Sequence, residues 1–403
     1  MNRLMLTSLL LAAACQAPTT RRAEDFACEN PDTSNHPRAA ALKAKLDEVQ
    51  ASLRIPGLSL AIRDRDGLWV GAAGTADAEL GVALEPCMRL PIFSVSKMAL
   101  ATTVLSLVDK GQVALDTPAR GLLTDDEARG LANIDQVTVG DLIGQTSGIP
   151  DYTDASYVLP SFDAPRRRWR WRETIDLVRG RAPSFAPGKH FAYSNTNFML
   201  AAAVVERLTG QPHQGVMNEL LFSRLDAPRL TYRPDEFDTK GVARGYFDLY
   251  GNGSLLDTTD TVAFSSVGPD GGSFSDAAGL VALLDALFRE RRLLSAASLG
   301  AMQQFNATSE DEEWAAFPQF DAFDGYGLGL IRWRIDGHVG IGHSGDGFGY
   351  QAAAFFFPED DLTFVLLANG SSIHSAPPSP KHLVDRIDAA RDQLLRVALT
   401  PAP

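Results

Sequence analysis

Apolar residues recur along this chain with two different periods, and the changes of period mark its elements. Leu42, Leu46, Val49 and Leu53 fall at helical spacing within residues 37–53, and Pro56-Gly57 stops that helix. Residues 58–62 and 68–72 flank Arg63-Asp-Arg-Asp-Gly67, which predicts a β-hairpin turning at Asp66-Gly67. A nearly continuous apolar run over 99–108 follows Pro91-Ile-Phe-Ser-Val-Ser-Lys97-Met98 and predicts a helix beginning there. Between 117 and about 255 short helical patterns alternate with loops, at 139–143, 174–178, 197–208 and 215–221. After Gly271-Gly272 the spacing predicts a serine-capped helix over 275–289. Residues 327–335, 338–343, 350–357 and 362–368 then read as adjacent antiparallel strands, and 382–395 as a closing helix.

A hairpin and helix at one end, strands and a helix at the other, and helices between them predict one discontinuous domain over 37–398. Its fold class is α/β (α+β): an antiparallel sheet flanked by helices, with an all-α lobe over about 117–255 inserted. A cleft between the two parts is where a small-molecule site belongs. No internal repeat is visible.

Charge and composition narrow the partners. A net charge of −13 and a pI near 5.0 exclude a nucleic-acid surface and broad adsorption to anionic lipid. Arg166-Arg-Arg-Trp-Arg-Trp-Arg172 is a local exception, read as a solvated helix face carrying two half-buried indoles. Residues 1–14 have the anatomy of a signal peptide: a positive start, an apolar run from Leu4, and Ala12-Ala13-Ala14 as a cleavage site. Leu11-Ala-Ala-Ala-Cys15 resembles a bacterial lipoprotein signal, with its leucine one place early, which implies lipidation at Cys15. The expected location is then the periplasm or an outer-membrane lipid anchor, with residues 15–36 as a polar tether. Cys28 and Cys87 remain, either as a disulfide in an oxidising compartment or as two free thiols.

The candidate chemistry starts at Ser94-x-x-Lys97, the only Ser-x-x-Lys in the chain. On a helix the two side chains share a face one turn apart, so the amine can activate the hydroxyl. The helix N-terminus supplies free backbone N–H groups beside a reacting oxygen. Taken alone the pair reads sooner as a capping serine followed by a solvated lysine on an amphipathic helix. Tyr193-Ser-Asn195 offers a phenol to relay protons and a carboxamide to hold a substrate carbonyl, in a loop just before a helix. Tyr250-Gly-Asn252 has the same pattern in a polar glycine-rich loop. Gly340-Ile-Gly-His343-Ser344-Gly345-Asp346 lies on or after a strand. There the glycines let a substrate backbone approach, and His343 and Ser344 bind a carboxylate or move a proton. His213-Gln-Gly215 and His338-Val-Gly340 are rival His-x-Gly matches, and Arg332 and Arg334 lie nearby. Gly342-His-Ser-Gly-Asp346 fails as a nucleophile elbow at its last position, and no His/Cys pair has zinc spacing.

In order, Ser94-x-x-Lys97, Tyr193-x-Asn195 and His343-Ser-Gly345 resemble the serine β-lactamase/penicillin-binding superfamily. The likeness is to its class C β-lactamase, D-alanyl-D-alanine carboxypeptidase and esterase branch, and it extends to 142–152 and Gly271-Gly272. The resemblance implies an acyl-enzyme on Ser94, with Lys97 and Tyr193 exchanging its proton. It also implies Asn195, His343, Ser344, Gly345 and Asp346 as substrate-binding residues, and an oxyanion hole from the Ser94 and Asp346 amides. No metal or organic cofactor is expected. His343 stands where class C β-lactamases carry lysine, which disfavours β-lactam hydrolysis. A D-Ala-D-Ala-type peptide is the expected acyl substrate; small esters or amides and β-lactams are alternatives. A non-catalytic cell-envelope binding protein is the alternative of a different class.

Overall fold

Two distant parts of the chain build one sheet. The computed structural model describes residues 21–232, 239–261, 268–308, 322–372, 379 and 381–400. Its main sheet is antiparallel. The strands run in the order Val82–Ala83, Gly67–Asp77, Gly57–Asp64, Leu362–Ala368, Tyr350–Phe357, His338–Gly347, Ile331–Ile335, Phe323–Tyr326 and Asn306–Ala307. The seam between the two parts pairs Leu58 with Ala368 and Arg63 with Thr363. Both faces of these central strands are covered, which is why they read as apolar runs rather than alternating ones. Leu60, Ile62, Phe355 and Leu366 pack with helices Ala39–Leu53 and Leu383–Leu399. Ala61, Ala354, Val365 and Leu367 pack with helices Val95–Asp109 and Ala277–Leu284.

The helix after Ser94 is the centre of the molecule. Every residue from Val95 to Leu107 is buried, Lys97 included. A helix apolar all round has no face for water, so the reading of a solvated lysine fails. Helix Asn195–Thr209, buried from Thr196 to Val205, packs beside it in the helical lobe.

The structure corrects several boundaries. The helical lobe does not continue to 255: Thr231–Tyr232 joins a small sheet, and Tyr246–Asp248 pairs in parallel with Gly370–Ser372, next to the C-terminal strands. The helix expected from Ser275 starts at Ala277, because Asp276 is the cap and accepts from the Gly279 amide at 2.8 Å. Its last turn, Asp285–Arg289, is a π-helix. The expected strand 327–335 is a turn followed by Ile331–Ile335, closed by Gly327 N–H donating to the Leu330 carbonyl. The arginine-tryptophan stretch is not one helix face: residues 166–170 link helix Ala155–Asp163 to helix Trp171–Asp176, and Trp171 and Arg172 open the second helix. There Arg167 stacks 3.5 Å over Trp169 and Arg172 stacks 3.9 Å over Trp171.

The described part of the expected tether, 21–36, is docked instead. Phe26 is buried, Arg21 bonds the buried Asp77 at 2.7 Å, and Cys28 is disulfide-bonded to Cys87. Short-range polarity hides this, because the segment is held by a buried phenylalanine, a cross-link and polar contacts to distant residues, among them Arg21 with Asp77, Asn30 with Glu85 and His36 with Asp64. The expected signal segment 1–14 and Cys15 lie outside the described residues. Replacing both Cys28 and Cys87 by serine is expected to lower the unfolding free energy by about 2–4 kcal/mol, read by urea denaturation. An unchanged midpoint would show that the cross-link holds only a loose arm.

Candidate active site

The turn that delivers Ser94 is strained. Phe93 has φ 42°, a left-handed conformation that an aromatic residue rarely adopts and that costs about 1–3 kcal/mol. Its ring is held 6.3 Å from that of Tyr350. The chain then enters the central helix, with Ser94 at its start and Lys97 one turn on.

Lys97 has three neighbours within hydrogen-bond distance. Its Nζ lies 2.8 Å from Ser94 Oγ, 2.6 Å from Asn195 Oδ1 and 2.9 Å from the Asp270 carbonyl. Burial lowers its pKa to about 8, against the opposing pull of the Asp270 and Asp151 carboxylates. The three contacts suit an ammonium that donates one N–H to each acceptor, and a pKa of about 8 brings the free amine, whose lone pair would face the Ser94 hydroxyl, within reach near neutral pH. The geometry thus puts the amine within proton-transfer distance of the Ser94 hydroxyl.

Tyr193 faces the same point. Its ring centroid is 5.0 Å from Lys97 Nζ, and a hydrogen bond to Ser94 favours its ionised form. Burial, followed by the neighbouring Tyr326, outweighs that bond and raises its pKa well above the ordinary value. The phenol stays protonated. Gln145 brackets it: its backbone carbonyl accepts from Ala192 N–H, while its side-chain oxygen accepts from Ser194 N–H and from Asn197 Nδ2.

Asn195 is not in the loop before the helix; it is the first residue of Asn195–Thr209. Asp151 accepts from its backbone N–H at 2.9 Å and from its Nδ2 at 3.0 Å, so a carboxylate sits at a helix N-terminus. The Asn195 carbonyl oxygen is already committed to Lys97, which makes this residue a holder of the base as well as a wall of the cleft.

The strand His338–Gly347 passes the other side of Ser94, and here the expected roles change. Gly340 and Gly342 do not receive substrate: a Cβ on Gly340 would meet the Phe357 ring at 2.7 Å, and one on Gly342 the Ala354 carbonyl at 1.9 Å. Gly345 is the close approach that matters, because a Cβ there would stand 2.2 Å from the Ile92 carbonyl and 3.1 Å from the Ser94 amide nitrogen. His343 is buried. Its Nδ1–H donates to the Ser344 carbonyl at 2.5 Å, and Nε2 accepts from the Tyr326 hydroxyl at 3.2 Å. Burial, then the charge of Lys97, lowers its pKa to about 3, so it is a neutral wall and not a cation for a carboxylate. Ser344 lines the cavity. Asp346 is exposed on it, its carboxylate accepting from Ser371 Oγ at 2.6 Å.

A cavity of about 360 Å³ joins these groups, lined by Ser94, Tyr193, Asn195, His343 and Gly345 among others. The rival motifs lie elsewhere. Tyr250 is exposed, His213 is wedged between Glu206 and Tyr232, and His338 pairs with Asp360. Arg332 and Arg334 both pair with Asp324. Sequence reasoning missed Phe93, Gln145, Asp151, Asp270 and Tyr326 as site residues. Only the run 142–152 carried a signal, as a familial stretch with no assigned role. Among the described residues, no group of three or more His, Cys, Asp or Glu has the arrangement of a metal site.

The beta-lactamase family model matches residues 42–387, and the chain belongs to that family. It is 27% identical to penicillin-binding protein 4 of Amycolatopsis lactamdurans, over 81% of this chain and 84% of that protein. It is 26% identical to a D-aminopeptidase of Brucella anthropi, over 82% of this chain but only 59% of that longer protein. In fold it resembles a D-amino acid amidase from Ochrobactrum anthropi, with TM-score 0.74 and 22% identity over 90% of this chain and 99% of that one. The protein is a serine hydrolase of the β-lactamase and penicillin-binding superfamily.

Gly345→Ala is expected to push the strand away from Ser94 and lower the rate of Ser94 acylation at least about a hundredfold. Intact-protein mass after incubation with a fluorophosphonate reads this, and near-wild-type labelling would show that the approach has no catalytic weight.

Proposed function

We propose that this protein is an exported hydrolase that cleaves small amides or esters whose acyl part carries a free amino group. Its chemistry is aminopeptidase- or amidase-like, through an acyl-enzyme on Ser94. As the Ser94 Oγ–carbon bond forms, Lys97 takes the hydroxyl proton and the substrate carbonyl electrons move onto its oxygen. The Ser94 and Asp346 amides stabilise that oxyanion. Tyr193 protonates the departing amine or alkoxide and recovers a proton from the Lys97 ammonium. Water then releases the acyl group by the reverse sequence.

The observation that carries the choice of substrate is the charge around the cavity. Asp151, Asp346 and Asp388 line it. Among the described lining residues Arg391 is the one cation, and it is paired with Asp388 at 2.8 Å and Asp392 at 3.0 Å. With His343 neutral, an anionic leaving group meets carboxylates, whereas an ammonium is attracted. The D-aminopeptidase relative supports this reading. A D-alanyl-D-alanine carboxypeptidase remains the second reading, favoured by the likeness to penicillin-binding protein 4 along most of its length. Export, with a lipid anchor at Cys15, is part of the proposal; the Cys28–Cys87 disulfide suits an oxidising compartment.

Turnover of a panel of D- and L-amino acid amides, their N-acetyl forms and D-Ala-D-Ala peptides tests this, with Ser94→Ala as control. The free-amine amides are expected to have the highest kcat/KM. Asp346→Asn is expected to reduce their advantage over the acetylated forms about two- to fivefold, as suits an exposed charge. Preference for the D-Ala-D-Ala peptides would transfer the assignment to the second reading.

A further inference from the structure

Lys97 is buried in a site where it must become an ammonium each time it takes the Ser94 proton, and an isolated charge there is costly. The groups facing it differ in what they can offer. From its own helix comes the Ser94 hydroxyl, and from helix Asn195–Thr209 a carboxamide with the Asp151 carboxylate behind it. The strand His338–Gly347 contributes the neutral His343 with Tyr326 beyond it, and the 193 turn contributes a protonated phenol. The fifth is the turn over 268–272, whose Asp270 carbonyl accepts from Nζ at 2.9 Å. The carboxylate of that same residue is also buried, and its Oδ2 accepts from the hydroxyl of the buried Tyr152 at 2.9 Å. No step described above uses it.

We propose that Asp270 is a positioning residue for Lys97, its buried carboxylate offsetting the ammonium that forms when Lys97 takes the Ser94 proton. The inference rests on the reading of Ser94 as the nucleophile. Two features support it besides geometry. Of the charges that favour the Lys97 ammonium, Asp270 is the strongest, ahead of Asp151. Burial in turn raises the Asp270 pKa, and Lys97 is the main influence opposing that rise. The two titrate as a pair, so the acidic limb of the pH–rate profile belongs to both. The sign follows. Without the carboxylate the ammonium loses its partner, Lys97 becomes free base at lower pH, and the limb moves down. The transition state, which creates that ammonium, is stabilised less.

A fluorophosphonate reads this without knowledge of the substrate. The Ser94 oxygen–phosphorus bond forms, fluoride leaves, and the hydroxyl proton passes to Lys97. The rate of labelling followed by mass against pH is expected to rise in the wild type through a limb near pH 8. In Asp270→Asn the limb is expected at least about one unit lower, with a plateau rate about tenfold smaller. Tyr152→Phe keeps the carboxylate but removes its donor, which makes Asp270 a better competitor for the shared proton. Its limb is expected to move the same way by less. An unmoved limb in Asp270→Asn of wild-type helicity overturns the inference. If that variant does not fold, an unmoved limb in Tyr152→Phe overturns it. No labelling of wild type at any pH overturns the nucleophile reading itself, and the inference with it.

Discussion

The active site depends on one buried amine. Lys97 lies in a helix buried at every position from Val95 to Leu107, where a charge is poorly solvated. Its Nζ donates to two carbonyl oxygens and one hydroxyl, and each comes from a different part of the chain: Asn195, Asp270 and Ser94. The same desolvation that makes the amine a usable base fixes Tyr193 and His343 in their uncharged forms. One physical condition, burial at the junction of a sheet edge and two helices, therefore shifts all three groups towards their uncharged forms.

The fold produces that junction through close backbone approach. Antiparallel pairing of Gly57–Asp64 with Leu362–Ala368 draws the chain ends into one sheet, so the serine helix and the strand carrying His343 meet although they lie far apart in sequence. Gly345 lets the strand lie against the Ser94 turn, and Phe93 accepts a left-handed backbone to make that turn. Strain of this kind persists only where surrounding packing over-determines it. Here the ring of Tyr350, fully buried, is part of that packing.

Along the lining of the cavity, outside the buried Lys97, the charge is one-sided. Carboxylates at Asp151 and Asp346 line the opening, and the one cation among the described lining residues is bound to two aspartates. A neutral histidine where a cation would hold a carboxylate adds to this bias. Substrate choice in such a site is a matter of long-range electrostatics and of what is left unpaired, not of the catalytic residues themselves.

The elements and the pairing of Ser94 with Lys97 were legible in the chain because both rest on local information. Helical spacing over 37–53, the Asp66-Gly67 turn and the β-branched and aromatic runs near the C-terminus are short-range patterns. Ser94 and Lys97 meet because they lie one turn apart on one helix. Tyr193 and His343 each had rivals of the same local pattern and were singled out by likeness of motif, and their protonation states were not legible. Charge on His343, the commitment of Asn195 to Lys97, and the parts of Asp151, Asp270 and Tyr326 depend on which groups surround them in space. So did the docking of 21–36, where a disulfide, a buried phenylalanine and polar contacts to distant residues hold a segment of polar composition. The sequence by itself determined which residues can do acyl-transfer chemistry and in what order they occur. Only the tertiary structure decided which of them are charged and what they face, because desolvation and electrostatic pairing are properties of three-dimensional surroundings.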